Sequence, residues 1–175
     1  MMKQFWCATV IAMAVVASGS GAKAQTAEAA NLSGIIHDFT AASFGSWEIN
    51  GEWSLTLKGE SGLADFSAVL AMVRSDYWLF TAPGADPENP TARSPHTHHI
   101  SLVDGTATMM GNSIRVTGPI AITANGNPFG SSSSIQVDVT GGSSVAFSNV
   151  KVTFGGDAEM HFGPQPLDGV VRFWR

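Results

Sequence analysis

An all-β fold is what this sequence predicts, and three features predict it. Its best-patterned segment has a period of two, and turn-forming glycine pairs recur at short intervals. After Val73 no amphipathic stretch of about ten residues suits a helix. The expected architecture is a single antiparallel β-barrel of about eight strands, or a β-sandwich. At 175 residues the chain is the size of one domain.

The first 24 residues differ from the rest. Lys3 gives a positive start, Phe5 to Ala17 is an apolar run broken by Thr9, and Ala22-Lys23-Ala24 has the A-x-A form of a cleavage site. A run of about 13 residues falls short of the roughly 20 that span a bilayer. Residues 1–24 therefore predict a signal peptide cleaved after Ala24, and a secreted or periplasmic protein. Lys3, Lys23 and the single cysteine, Cys7, leave with it, so 7 basic residues face 14 acidic ones, a net charge of −7. That balance argues against nucleic acid, whose phosphates need a basic face. No disulfide framework or cysteine zinc site is possible in such a chain.

Residues 25–34 read as a flexible leader, and 35–175 as one all-β domain. Trp47, Ile49, Gly51, Trp53, Leu55 and Leu57 alternate with Glu48, Asn50, Glu52, Ser54, Thr56 and Lys58, a half-buried strand. Gly59-Glu60-Ser61-Gly62 is a turn. Leu63 to Val73 fits either a strand face (Ala64, Phe66, Ala68, Leu70, Met72) or a helical stripe, and the tight turn before it favours the strand. Asp76 to Phe80 is a short aromatic segment, followed by a proline-rich loop over 81–95.

Further strands are expected at His96–Val103, Thr106–Met110, Ser113–Thr117, Ile120–Ala124, Ser134–Thr140, Ser143–Phe154, Ala158–Phe162 and Val170–Trp174. Asp104-Gly105, Gly111-Asn112, Asn125-Gly126, Gly141-Gly142 and Gly155-Gly156 separate them as turns. One tyrosine and short strands argue against stable membrane insertion as an outer-membrane barrel, which needs aromatic girdles.

The histidines carry the one constellation with chemistry in it. Three of the five lie in Pro95-His96-Thr97-His98-His99. On a strand, His96 and His98 share a face and His99 takes the other. Two imidazoles so placed form half of a transition-metal site, and zinc or copper are the expected ions. If Asp157 to His161 is extended, Glu159 and His161 share a face and complete a set of His96, His98, Glu159 and His161. Met109, Met110 and Met160 are soft enough for copper but are ordinary core residues too.

The leading expectation is thus an exported soluble binding module with a histidine-rich metal site. Beside it stand a metal-free barrel enzyme of isomerase, cyclase or lyase type, or a carrier whose aromatics line a cavity for a small apolar ligand. A secreted structural domain with incidental histidines is the third reading. The sequence has no Gly-x-Ser-x-Gly elbow and no phosphate-cradling glycine loop.

Overall fold

The alternation between Trp47 and Leu57 is carried by a strand in which Trp47, Ile49, Trp53, Leu55 and Leu57 are buried. Asn50, Glu52, Ser54 and Thr56 between them are exposed. A computed structural model describes residues 29–42, 45–75, 95–141 and 148–175. The expected signal peptide, the segment 76–80, the proline-rich loop as far as residue 94 and residues 143–147 of the expected strand Ser143–Phe154 lie outside the described residues.

The strands are β1 (Ala30–Ala42), β2 (Gly45–Leu57), β3 (Leu63–Arg74), β4 (His96–Met110) and β5 (Ser113–Pro119). They continue with β6 (Ala121–Ala124), β7 (Asn127–Pro128), β8 (Ser133–Thr140) and β9 (Asn149–Gly156). A short helix, α1 (Asp157–Phe162), then leads to β10 (Leu167–Trp174). Eight strands run in the order β3-β2-β1-β10-β9-β8-β5-β4, every neighbour antiparallel, and β4 returns to pair with β3. This closure makes the sheet a barrel rather than a sandwich, because β3 and β4 leave no open edge between them.

β3 settles the ambiguous segment as a strand. Ala64, Phe66, Ala68, Leu70 and Met72 are all buried on one face, while Ser67, Val69 and Val73 are exposed on the other. β1 begins at Ala30, so residues 30–34 of the expected leader belong to the sheet. Its pattern is hard to read because apolar residues occupy both faces. Leu32 and Ile36 are buried, yet Ile35 and Phe39 point outward, Phe39 with 62% of its surface exposed.

The interior is filled by one core. Leu32, Ile36, Ile49, Leu70, Ile100, Val116, Val137 and Val152 are among its members, and Trp53 stacks on Phe66 with ring centroids 6.3 Å apart. Burying such residues inside while carboxylates, amides and hydroxyls face out inverts the pattern of an outer-membrane barrel, whose interior is polar.

β4 corrects two expectations at once. It runs unbroken from His96 to Met110, so Asp104-Gly105 is not a hairpin turn. Asp104 instead takes the left-handed conformation, with φ of 55°, inside the strand. Val103 and Asp104 both face out, and the inward set shifts from His98, Ile100 and Leu102 to Gly105. The register against β3 shifts opposite this point, between Ala64 and Phe66. This is a β-bulge, and the tolerance of aspartate for left-handed backbone is used here to change the phase of the strand. The Asp104 N–H donates to Asp65 Oδ1 at 2.9 Å. Lys58 Nζ joins both carboxylates, at 2.7 Å from Asp65 and 2.6 Å from Asp104.

These ion pairs are largely solvated and contribute little, so the backbone term decides the effect of substitution at Asp104. Asp104→Gly should keep wild-type stability within about 0.5 kcal/mol. Asp104→Val should lose about 1–2 kcal/mol, because a β-branched residue resists φ above zero. Urea unfolding of the two variants checks this, and equal midpoints would contradict it.

Candidate metal centre

The period of two in β4 turns His96 and His98 inward, while Thr97 and His99 face water. Pairing with β3 sets their heights: His96 lies opposite Met72, and His98 opposite Leu70. On its other side His98 pairs with Ala124 of β6. The third histidine comes from α1. At this end of the barrel β8 follows β5 only to Pro119, and β6 pairs with β7 instead. α1 packs here against β9, β1 and β8.

The expected strand Ala158–Phe162 is therefore a helix, and this changes the ligand set. Residues two apart on a helix point about 200° round from each other rather than the same way. Ala158 and Phe162 are fully buried, His161 is half-buried, and Glu159 is exposed. The groups brought together are His96, His98 and His161, and Glu159 is not among them.

Both ends of α1 are tied down. At its start, Asp157 Oδ2 accepts the Ser131 N–H at 2.7 Å and the Ser132 N–H at 3.1 Å, while the Asp157 N–H donates to the Ser132 carbonyl at 3.0 Å. These donors hold the Asp157 carboxyl below its ordinary range. Gly156, with φ of 69°, approaches so closely that a side chain would collide with the Ser132 carbonyl oxygen. At its end, the buried Thr40 hydroxyl donates to the Phe162 carbonyl at 2.6 Å.

The three imidazoles meet through their Nε2 atoms. His98 Nε2 is 2.9 Å from His161 Nε2, and His96 Nε2 is 3.2 Å from it. His98 Nδ1 lies 3.0 Å from the Thr123 carbonyl oxygen, which only accepts, so Nδ1 carries the hydrogen. A neutral His98 then presents a bare lone pair at Nε2. A ring hydrogen on His161 Nε2 cannot aim well at two acceptors at once. The ring nitrogens of His96, His98 and His161 all lie within 4.8 Å of one another, close enough that the three could hold a metal ion. Two nitrogens bound tetrahedrally to zinc at 2.0–2.1 Å stand about 3.3 Å apart, close to the spacings found here.

Aromatic rings wall the cluster. Phe162 lies 5.0 Å from His98 and 5.2 Å from His161, while Phe129 lies 5.4 Å and 4.8 Å from the same two rings. Trp47 meets His96 edge-on at 5.3 Å. This burial is the main cause of low basicity: it pushes His98 down to about 3 and His161 to about 4. The neighbouring histidines lower both further. The histidine pair on β4 was legible from its spacing. The aromatics read from the sequence as core or as the lining of a ligand cavity, not as the wall of a histidine cluster, and the Thr123 carbonyl carries no residue-type signal.

Fold and site together define an eight-stranded antiparallel barrel with a three-histidine cluster at one mouth. Comparison with protein-family models, with curated proteins and with solved structures finds no match for this chain.

The lowered pKa values carry a pH dependence with a definite sign. Below about pH 6.5 an unfolded chain takes up a proton at each histidine, whereas folded His161 and His98 resist until about 4 and 3. The metal-free protein should therefore lose stability steadily as pH falls from about 6.5 to 5.5, a window above most of the carboxylate titration. His161→Gln should flatten the fall by removing about one of the two protons involved. Urea midpoints measured across that window in chelator check this, and midpoints independent of pH in the wild type would contradict it.

Proposed function

We propose that this protein is an exported barrel that binds a transition-metal ion, zinc or copper, through His96, His98 and His161. The observation that carries the reading is the convergence of three Nε2 atoms, with His98 Nδ1 anchored on the Thr123 carbonyl. Metal-bound histidines characteristically donate their second ring N–H in this way, which fixes both tautomer and ring orientation. Burial that keeps His98 and His161 neutral favours the form that ligates. Three protein ligands match the pattern of a site that keeps a position for an exchangeable ligand.

The rival readings fit less well. A general base at neutral pH works best with a pKa near 7, and imidazoles held near 3 and 4 are poor ones. A carrier of the expected kind needs a hollow interior, whereas among the described residues the buried apolar side chains form one core. An incidental role leaves unexplained why three ring nitrogens are held so close in a half-buried mouth. Export rests on residues 1–24: the secreted chain should begin at Gln25, as intact mass determination reports.

Titration calorimetry with Zn²⁺ and Cu²⁺ on chelator-stripped protein tests the metal reading. About one equivalent should bind, and His98→Ala or His161→Ala should weaken binding about 100-fold or more. Glu159→Gln should bind like the wild type. A wild-type protein that takes up neither ion, or binding that survives loss of both histidines, would contradict the proposal.

A further inference from the structure

The outer face of the barrel is uneven. Among the described residues nine large apolar side chains are exposed, and six of them lie within the neighbouring strands β3-β2-β1-β10. These are Val69 and Val73 of β3, Ile35 and Phe39 of β1, and Val170 and Phe173 of β10. Register sets Val69, Glu52, Ile35 and Val170 in one row across the four strands. A cluster of this kind, unlike apolar residues scattered singly, marks a surface of contact. A bulge enlarges it. Ser33 pairs with Phe173 and Gly34 with Val171, so Arg172 is an extra residue in β10. Arg172 and Phe173 are both exposed as a result, with the guanidinium carbon 5.9 Å from the ring centroid.

Charge says what this face meets. Glu48 pairs with His37 and Asp168 with Lys151, whereas Glu52 and Arg172 form no ion pair among the described residues. The two flank β1 from opposite sides: Glu52 on β2 is level with Ile35, and Arg172 on β10 is level with Ser33 and Gly34. A two-fold axis through β1 between Ser33 and Ile35 exchanges these positions. It lays Glu52 of one copy over Arg172 of the other, twice, and sets Phe173 against the row of Val69 and Ile35. A face that carries both charges at positions related by one rotation is complementary to itself.

We infer that this face is the interface of a two-fold dimer of the chain, with Glu52 and Arg172 paired across an apolar centre. Four strands about 4.8 Å apart and about eight residues long present roughly 500 Å². That is short of the roughly 800 Å² per partner of a standard stable complex, so the dimer forms at micromolar concentration. The inference stands apart from the metal reading, since it uses the outside of the barrel alone.

The test is sedimentation velocity of the purified protein from about 1 to 300 μM. The wild type should pass from monomer to dimer across that range. Glu52→Arg and Arg172→Glu should each weaken self-association about tenfold or more, because like charges then face each other at both contacts. An equimolar mixture of the two variants should dimerise like the wild type, since a mixed pair restores opposite charges at both contacts. Phe173→Ala should weaken association about fivefold or more, and serves if a reversed charge prevents folding. A wild type that stays monomeric at the highest concentration overturns the inference. So do variants that associate like the wild type, or a mixture that associates no better than either variant alone.

Discussion

The pairing of β3 with β4 is the constraint on which the rest of the molecule depends. It closes the barrel, and its register puts Leu70 against His98 and Met72 against His96. A slip of one residue would turn both histidines to water and bring Thr97 and His99 inside. The bulge at Asp104 belongs to the same device. It lets the lower part of β4 keep its register with β5 while the upper part stays in phase with the site.

What the closed sheet does not supply is the third imidazole. It comes from a helix of six residues packed against β9, β1 and β8, too short to persist by itself. It is held from outside, by Asp157 on the Ser131–Ser132 backbone and by Thr40 on the Phe162 carbonyl. Phe162 stacks on Phe154 at 4.3 Å, so the ring that anchors the helix in the core also dries the histidine cluster. Position and electrostatics thus have one source. The burial that fixes His161 is what keeps it and His98 uncharged, and an uncharged imidazole is the one that can hold a metal ion.

Much of this was legible in the sequence, for a physical reason. Where one face of a strand is buried and the other wet, the residue pattern records it, as in β2, β3 and the His96–His98 pair. β1 escaped because Ile35 and Phe39 are exposed beside buried Ile36 and Thr40, which blurs the period. The segment 157–162 reads as a strand because Ala158, Met160 and Phe162 alternate, and nothing within so short a stretch records that Asp157 is held by the Ser131–Ser132 backbone. The placing of Glu159 on one face with His161 depended on that extended reading, and on the helix Glu159 is exposed and outside the close group. Asp-Gly signals left-handed backbone, which serves a turn or a bulge equally well, and only the strand partner decides between them.

Binding of one metal ion by His96, His98 and His161 is open to a direct spectroscopic test. X-ray absorption at the zinc edge of the Zn²⁺-loaded protein tests it most directly. The expected spectrum shows three imidazole nitrogens at about 2.0–2.1 Å with their outer-ring scattering, and one further oxygen. A spectrum fitted by oxygen ligands alone, or by a single imidazole, would contradict it.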